Sequence, residues 1–185
     1  MADPLVVGIS GSSGSIVAVR LLEALRELGV EVHLTVSEAA RSVIPHETGL
    51  PVDKVASLAA HVHEASDLFA PIASGSFRTR GMVVVPCSMK TLAGIATGYA
   101  DNLILRAADV TLKERRPLVL VTRESPLSLV HIENMRAVTL AGAIVLPPVI
   151  TMYSRPGTVD DLVGQVTGKI LDALRIDGEV RKRWG

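Results

Sequence analysis

The sequence is poor in several kinds of residue, and each shortage excludes a class of protein. A single cysteine, Cys87, among 185 residues excludes an internal disulfide and a multi-cysteine zinc site. Nineteen basic residues balance nineteen acidic ones, which argues against a protein devoted to nucleic acid or to an anionic membrane surface. No apolar run approaches the roughly 18 residues of a membrane-spanning helix. Because residues 1–4 also lack the basic start of a secretory leader, we expect a cytoplasmic protein.

Aromatic residues are scarce as well, at 3% of the chain, whereas 48% of the residues are hydrophobic. We therefore expect an aliphatic core in one domain over residues 1–185, with a C-terminal tail from about residue 175. The mean hydropathy of +0.39 is high for a soluble monomer. Surplus apolar surface without a membrane segment suggests burial between subunits, so we predict a homo-oligomer.

Histidine is the remaining candidate for metal binding. Five histidines occur, and His61 and His63 are the one pair that is close in sequence. With no supporting cysteine and no third ligand nearby, we expect this pair at the solvated end of an element rather than in a metal site. We therefore predict that the protein binds no metal.

Short apolar runs alternate with helical periodicity along the chain, which predicts an α/β protein. Residues 5–10 read as a buried parallel strand, a Gly/Ser turn and an amphipathic helix follow, and residues 31–36 form a second strand. Further strands are expected over residues 81–86, 118–122 and 143–146. Helices are expected over residues 37–44, 52–60, 88–98, 102–115, 128–140 and 159–174. The predicted architecture is a single-domain, three-layer α/β/α sandwich with a flavodoxin/Rossmann-like parallel sheet.

Small polar residues follow three of the predicted strands, at residues 10–14, at Ser37 and at residues 87–91. In such folds ligands bind beyond the carboxyl ends of the strands. Glycine lets a ligand approach the backbone, and the following helix aims its free N–H groups at an anion. The first loop, Gly-Ser-Ser-Gly, is neither a dinucleotide fingerprint nor a Walker A motif. The pattern therefore favours a mononucleotide cofactor over NAD or ATP.

A helix in the second half of the chain carries charges on one face. Arg106, Asp109 and Lys113 are spaced so that they share that face. Two interpretations stay open, an exposed ladder of ion pairs and an anion-binding site among apolar neighbours.

Other charges stand near predicted strand and helix ends. Arg123 and Glu124 directly follow a predicted strand, at its carboxyl end, where a functional role is favoured. Lys169 lies at the border of the apolar stripe of the last helix. Its stem either covers apolar surface, or its ammonium group meets a phosphate near Tyr153.

Taken together, these segments resemble the UbiX-like flavin prenyltransferases, a family also described as small subunits of hydroxybenzoate or phenolic acid decarboxylases. The resemblance covers nearly the whole chain. Each motif alone is weak evidence, but their combination is specific for the family. It is carried by residues 8–14 (GISGSSG), 46–49 (HETG), 73–77 (ASGSF), 81–91 (GMVVVPCSMKT), 102–116, 123–126 (RESP), 155–156, 160–162 and 183–184.

The resemblance implies a flavodoxin-like subunit, commonly of a dodecamer, that binds FMN at a subunit interface. Members of the family join a dimethylallyl group from dimethylallyl monophosphate to N5 and C6 of reduced FMN, without a metal. Whether the monophosphate or the pyrophosphate is the donor stays open. The product, prenylated FMN, is the cofactor of UbiD-like decarboxylases, which are the expected recipient.

The resemblance also implies site residues. The expected FMN contacts are Gly11, Ser12, Ser13, Ser37, Ser88, Met89, Lys90, Thr91 and Arg123. The phosphate of the prenyl donor is expected on Arg106, Lys113, Arg123, Glu124, Tyr153 and Lys169. The expected catalytic residues are Ser13, Glu47 and Glu124. Either Glu124 or the released phosphate takes the proton lost from C6. Lys169 stands where many relatives have arginine, and Met152 replaces a phenylalanine.

Two other functions compete with this one. A flavin-dependent cysteine decarboxylase of the same fold would need an active-site histidine, for which His46 is the candidate, and would leave Tyr153, Lys169 and Lys113 without a role. A non-catalytic flavin-binding subunit of an aromatic acid decarboxylase would not need the charges of the phosphate site.

Overall fold

Six parallel strands form one sheet in the computed structural model, which describes residues 3–178. In chain order they are β1 (Leu5–Ile9), β2 (Val32–Val36), β3 (His61–Glu64), β4 (Gly81–Cys87), β5 (Leu118–Thr122) and β6 (Ile144–Val145). Their order across the sheet is β3-β2-β1-β4-β5-β6, and every pairing is parallel. This is the doubly wound order of the Rossmann fold, so the predicted fold class is confirmed.

Helices cover both faces of the sheet. They are α1 (Ser15–Glu27), α2 (Glu38–Thr48), α3 (Val52–Ala56), α4 (Met89–Thr97), α5 (Leu103–Lys113), α6 (Leu129–Leu140) and α7 (Val159–Ala173). The core on one face includes side chains of α1, α2, α3 and α7, and the core on the other face includes those of α4, α5 and α6. Neighbouring residues of one strand point to opposite cores, as Val83 and Val84 do.

Three segments differ from the sequence prediction. Helix α3 was expected over residues 52–60 but ends at Ala56. Helix α2 was expected to end at Ile44, before Pro45, but it continues to Thr48 and ends at Gly49, which has a φ of 69°. Proline interrupts one backbone hydrogen bond without ending the helix, and the extra turn carries Glu47. Strand β3 was missed because it is a mostly exposed edge strand of sequence HVHE, which lacks the apolar run of a buried strand.

The pairing of β3 with β2 places His61 at the exposed start of β3, as expected for a residue at the end of an element. The register places His33 opposite His61, and the side chain of Glu31 lies next to the rings of His33 and His61. Possible metal ligands that are not adjacent to His61 in sequence therefore lie beside it, whereas the sequence analysis expected no third ligand nearby.

No helix among residues 3–178 is long and apolar enough to cross a membrane. Most of the predicted C-terminal tail, including Arg183 and Trp184, lies outside these residues.

Candidate active site

A crevice opens where the strand order reverses, between the carboxyl ends of β1 and β4. Its volume is about 340 Å³, within the roughly 300–1,000 Å³ that is usual for small-molecule sites. Five of the predicted FMN contacts line it: Gly11, Ser37, Ser88, Lys90 and Thr91. Met89 does not, because it packs partly buried against the core. The loops after β1, β2 and β4 thus meet as predicted.

Three helices begin at this crevice. Ser37 precedes α2, Ser88 precedes α4 and Asn102 precedes α5, and all three residues line the cavity. Each side-chain oxygen accepts a backbone N–H from the first turn of its helix, at 3.2, 3.3 and 3.1 Å respectively. The positive ends of three helix dipoles therefore converge on one cavity, which favours a phosphate or another anion. The contribution of α5 was not expected from the sequence.

The side chain of Ser10 joins the two strands that flank the crevice. Its hydroxyl donates to the carbonyl of Pro86 at 2.9 Å and accepts the N–H of Ser88 at 2.8 Å. Ser10 is buried, so water cannot replace its hydroxyl as the hydrogen-bond partner of these two backbone groups. This bridge fixes the spacing between the ends of β1 and β4. Sequence reasoning missed it because a serine at a strand end gives no sign of its partner.

Gly11 allows the first loop to approach the first turn of α2. A Cβ at this position would lie 2.4 Å from the Cβ of Ala39, a distance that side chains do not tolerate. Any larger residue would push the loop away from Ser37 and widen the crevice.

Glu47 and Ser13, two of the predicted catalytic residues, lie together at the start of α1. The Oε2 of Glu47 accepts the N–H groups of Gly14 and Ser15, both at 2.9 Å. Burial alone would raise the pKa of Glu47, but hydrogen bonds from the Ser13 hydroxyl and from these N–H groups outweigh it and lower the pKa. The carboxylate therefore caps α1. This corrects the expectation that α1 offers free N–H groups to an anion, and α5 provides the third helix N-terminus instead.

The loop after β5 lies against the loop after β1. The carbonyl of Arg123 accepts the hydroxyl of Ser12 at 3.2 Å, and the N–H of Arg123 donates to the carbonyl of Cys87 at 3.4 Å. The side chains of Arg123 and Glu124 are exposed next to the crevice loops. The carboxylate of Glu124 accepts the N–H of Ser125 at 3.0 Å. The structure thus brings together Ser12 and Arg123, which are two of the predicted FMN contacts.

Gln165 connects the Tyr153 loop to helix α7. Its amide nitrogen donates to the hydroxyl of Ser154 at 2.6 Å, and its amide oxygen accepts the hydroxyl of Thr151. Lys169 is exposed one turn further along α7, on the same side as Gln165. The structure thus anchors the Tyr153 loop one helical turn from Lys169. Sequence reasoning missed Gln165, since a glutamine beside an apolar stripe looks solvent-exposed.

The charges of α5 form ion pairs in their own subunit. Arg106 contacts the carboxylate of Asp109 at 2.7 Å and donates to the carbonyl of Ala73 at 3.1 Å. Lys113 pairs with Glu114 at 2.5 Å. Because α5 and α7 pack on opposite faces of the sheet, the structure does not bring Arg106 and Lys113 to Tyr153 and Lys169 within one chain. Within one chain, the residues that were predicted to bind the donor phosphate therefore form two separate groups.

Comparison with known proteins agrees with this geometry. A family model described as Flavoprotein matches residues 2–171, so the chain is a flavoprotein by family. It is 54% identical to a probable UbiX-like flavin prenyltransferase of Streptomyces sp. (strain D7), over 97% of this chain and 90% of the relative. It is 47% identical to the flavin prenyltransferase UbiX of Thauera aromatica, over 97% and 93% of the two chains. The protein belongs to the UbiX-like flavin prenyltransferases, which confirms the resemblance.

Solved structures match over almost the full length. A crystal structure of AnUbiX (PadA1) in complex with FMN and dimethylallyl pyrophosphate superimposes with a TM-score of 0.98, at 48% identity, covering 100% of this chain and 98% of the other. A dodecameric FMN-dependent UbiX-like decarboxylase from Escherichia coli O157:H7 gives 0.96, at 50% identity and coverages of 98% and 99%. The peptidyl-cysteine decarboxylase EpiD, at 16% identity and a TM-score of 0.69 with coverages of 95% and 99%, shares only the fold.

Proposed function

We propose that this protein is a flavin prenyltransferase that joins the dimethylallyl group of dimethylallyl monophosphate to N5 and C6 of reduced FMN. The observation that carries the proposal is the convergence of three helix N-termini on the crevice, in a chain of the UbiX-like family. Reduced FMN supplies the nucleophilic atoms of the reaction. The residues of the chain bind the phosphates, hold the flavin and keep water out.

The crevice fits the phosphate of FMN. The hydroxyls of Ser88 and Thr91 lie 3.0 Å apart at the start of α4, and Lys90 adds a positive charge in the same turn. Gly11 leaves room for close approach of a ligand to the first loop. Backbone and side-chain donors therefore bind this phosphate without a metal, and we expect EDTA to leave FMN affinity unchanged.

The exposed cations are suited to the phosphate of the prenyl donor. Breaking the allylic C–O bond leaves a phosphate dianion and an allyl cation, so cations are needed on the phosphate side. Arg123 and Lys169 have no ion-pair partner among residues 3–178, which leaves both charges available. Ser13 and Glu47 adjoin each other at the first loop, where they can hold the flavin edge. Glu124 and the released phosphate both remain candidates for the C6 proton.

The division of the phosphate site points to subunit interfaces. If Arg106 and Lys113 also bind the donor phosphate, they must come from a different subunit than Tyr153 and Lys169, because one chain places them on opposite faces. Mixed oligomers test this directly. Combining Lys113→Ala subunits with Tyr153→Phe subunits should restore activity above that of either variant alone. Activity no higher than that of the two separate variants would contradict a shared site.

Helix α6 supports the proposed homo-oligomer. Among its described residues only Val138 is buried, while Leu129, Val130 and Leu140 are 71%, 67% and 73% exposed. Met152, on the loop before α7, is a further large apolar side chain that the single chain leaves exposed. We propose that these faces are buried between subunits, in a dodecamer like that of the Escherichia coli relative. Light scattering at micromolar concentration should give an oligomeric mass, and a monomeric mass would contradict the proposal.

Neither competing function is favoured. His46, the candidate for cysteine decarboxylation, is exposed on α2, and the likeness to EpiD shows the fold alone. A passive flavin-binding subunit gives no reason for the exposed charges of Arg123 and Lys169. Delivery of prenylated FMN to a UbiD-like decarboxylase, and the cytoplasmic location, stay predictions.

Phosphate release provides a test of the proposal. Under anaerobic conditions, inorganic phosphate should be released from dimethylallyl monophosphate only when both the protein and reduced FMN are present. Release that does not depend on the flavin would show simple hydrolysis and would contradict prenyl transfer.

A further inference from the structure

A second cluster of chemically active side chains lies at the amino-terminal ends of β2 and β3, whereas the crevice lies at the carboxyl ends of the strands. Glu31 precedes β2, His33 is the second residue of β2, and His61 begins β3. The Nε2 of His61 lies 3.3 Å from the Oε1 of Glu31, and the Nε2 of His33 lies 3.6 Å from the same oxygen. One ligand atom from each of the three residues lies within 4.8 Å of the others.

These separations match the ligand spacing of a tetrahedral metal centre. Zinc binds histidine nitrogen and carboxylate oxygen at about 2.0–2.2 Å, so tetrahedral ligands lie roughly 3.3–3.6 Å apart. Two histidines and one carboxylate are also a ligand set that binds zinc and other divalent transition metals. The two measured separations in the cluster therefore need no large rearrangement to hold an ion.

His63 and Phe77 hold the ring of His33 in place. The Nδ1 of His33 lies 2.9 Å from the Nε2 of His63, within hydrogen-bonding distance. If His33 donates this hydrogen bond, its Nε2 carries the lone pair that a metal needs. The ring of Phe77 packs against that of His33 at a centroid distance of 4.9 Å, and His33 is buried. This arrangement has the form of a metal ligand oriented by an outer hydrogen bond.

We propose that Glu31, His33 and His61 bind one divalent transition metal ion, with water completing the coordination and His63 orienting His33. This replaces the expectation of no metal that was drawn from the sequence. The bound ion would link the edge strand β3 to β2 and stabilise that edge of the sheet. The proposal does not rest on the prenyltransferase function, because none of the three ligands lines the crevice.

Zinc binding to the tag-free, full-length protein tests the site after treatment with a chelator. Calorimetric titration should show one Zn²⁺ per chain, and Mg²⁺ should not compete because it prefers oxygen ligands. His61→Ala and Glu31→Gln change exposed residues and should abolish or strongly weaken binding. His63→Ala should weaken it about 10- to 100-fold, as expected for loss of an orienting hydrogen bond.

Matched controls separate this site from non-specific binding. His46→Ala removes an exposed histidine of α2, and Glu27→Gln removes an exposed carboxylate of α1, so both variants should bind Zn²⁺ as the unmodified protein does. Zn²⁺ should raise the thermal midpoint of the unmodified protein and of His46→Ala, but not that of Glu31→Gln. Equal Zn²⁺ affinity in the unmodified protein, His61→Ala and Glu31→Gln would overturn the proposal, as would no binding at micromolar Zn²⁺.

Discussion

The carboxylate of Glu47 accepts the backbone N–H of Gly14 at 2.9 Å, so a side chain from α2 caps the start of α1. Gly14 itself has no side chain with which to cap the helix, and Glu47 also accepts the N–H of Ser15. Glu47, which is expected near the reacting edge of the flavin, therefore also stabilises the loop between β1 and α1 that lines the crevice.

Replacing Glu47 should produce a loss of stability that depends on pH. Glu47→Ala removes a helix cap and should lower the free energy of unfolding by about 1 kcal/mol at pH 7. Because the pKa of Glu47 in the folded protein lies below its ordinary value of 4.5, this stabilisation is present above pH 4.5 and is lost as the pH falls through the folded pKa. Urea unfolding at pH 7 and pH 3 checks this, and an equal difference at both pH values would contradict it.

The two hydrogen bonds of the Ser10 hydroxyl, to Pro86 and Ser88, should contribute measurably to the free energy of unfolding. Ser10→Ala leaves the N–H of Ser88 without its acceptor and should cost about 1–3 kcal/mol of unfolding free energy. Thr35→Val is the matched control, because the buried hydroxyl of Thr35 has no hydrogen-bond partner among residues 3–178. Urea unfolding should show a clear loss for Ser10→Ala and little change for Thr35→Val. Equal effects of both changes would show that the bridge contributes nothing specific.

Lys169, Tyr153 and Gln165 should affect prenyl transfer and not FMN binding. Loss of one charge-assisted hydrogen bond in Lys169→Ala should lower kcat/KM by about 10- to 150-fold. Tyr153→Phe should lower it less. Gln165→Leu removes the hydrogen bonds that hold the Tyr153 loop on α7, and it should lower kcat/KM through loop displacement.

Lys169→Arg is the control for charge, and it should keep or improve the activity because a guanidinium keeps the positive charge and can form two parallel hydrogen bonds to a phosphate. Unchanged turnover in Lys169→Ala would show that this lysine only covers apolar surface. The donor phosphate would then rest on Arg123 and Lys113.

Cys87 should be unreactive in the folded protein. It is fully buried, and burial raises its pKa to about 12, so almost no thiolate forms at pH 8. A thiol reagent at pH 8 should label Cys87 only after unfolding in urea. Rapid labelling of the native protein would contradict this description of the core under β4.

The sequence predicted those parts of the fold that depend on burial over short segments. β1, β4 and β5 are buried along their whole length and appear as apolar runs. The loops of the crevice were predictable because the carboxyl ends of parallel strands share one edge. β3 was not predicted, since an exposed edge strand needs no apolar pattern. The end of α2 was misplaced because Pro45 is tolerated inside that helix.

Most of the contacts that sequence reasoning missed join residues that are not neighbours in the chain. Ser10 reaches Ser88, Gln165 reaches Ser154, and His33 meets His61 only through the register of β2 and β3. The division of the phosphate site has the same origin, because the face on which a helix packs is a property of the whole sheet. Neither motif nor spacing contains that information.

The most direct test of the central claim is mass spectrometry of the flavin after anaerobic incubation with reduced FMN and dimethylallyl monophosphate. We predict a flavin product that is heavier than reduced FMN by the mass of one isoprene unit, formed without added metal and in the presence of EDTA. Lys169→Ala should form the same product more slowly. Recovery of unmodified FMN alone, from protein that binds the flavin, would contradict the assignment of this protein as a flavin prenyltransferase.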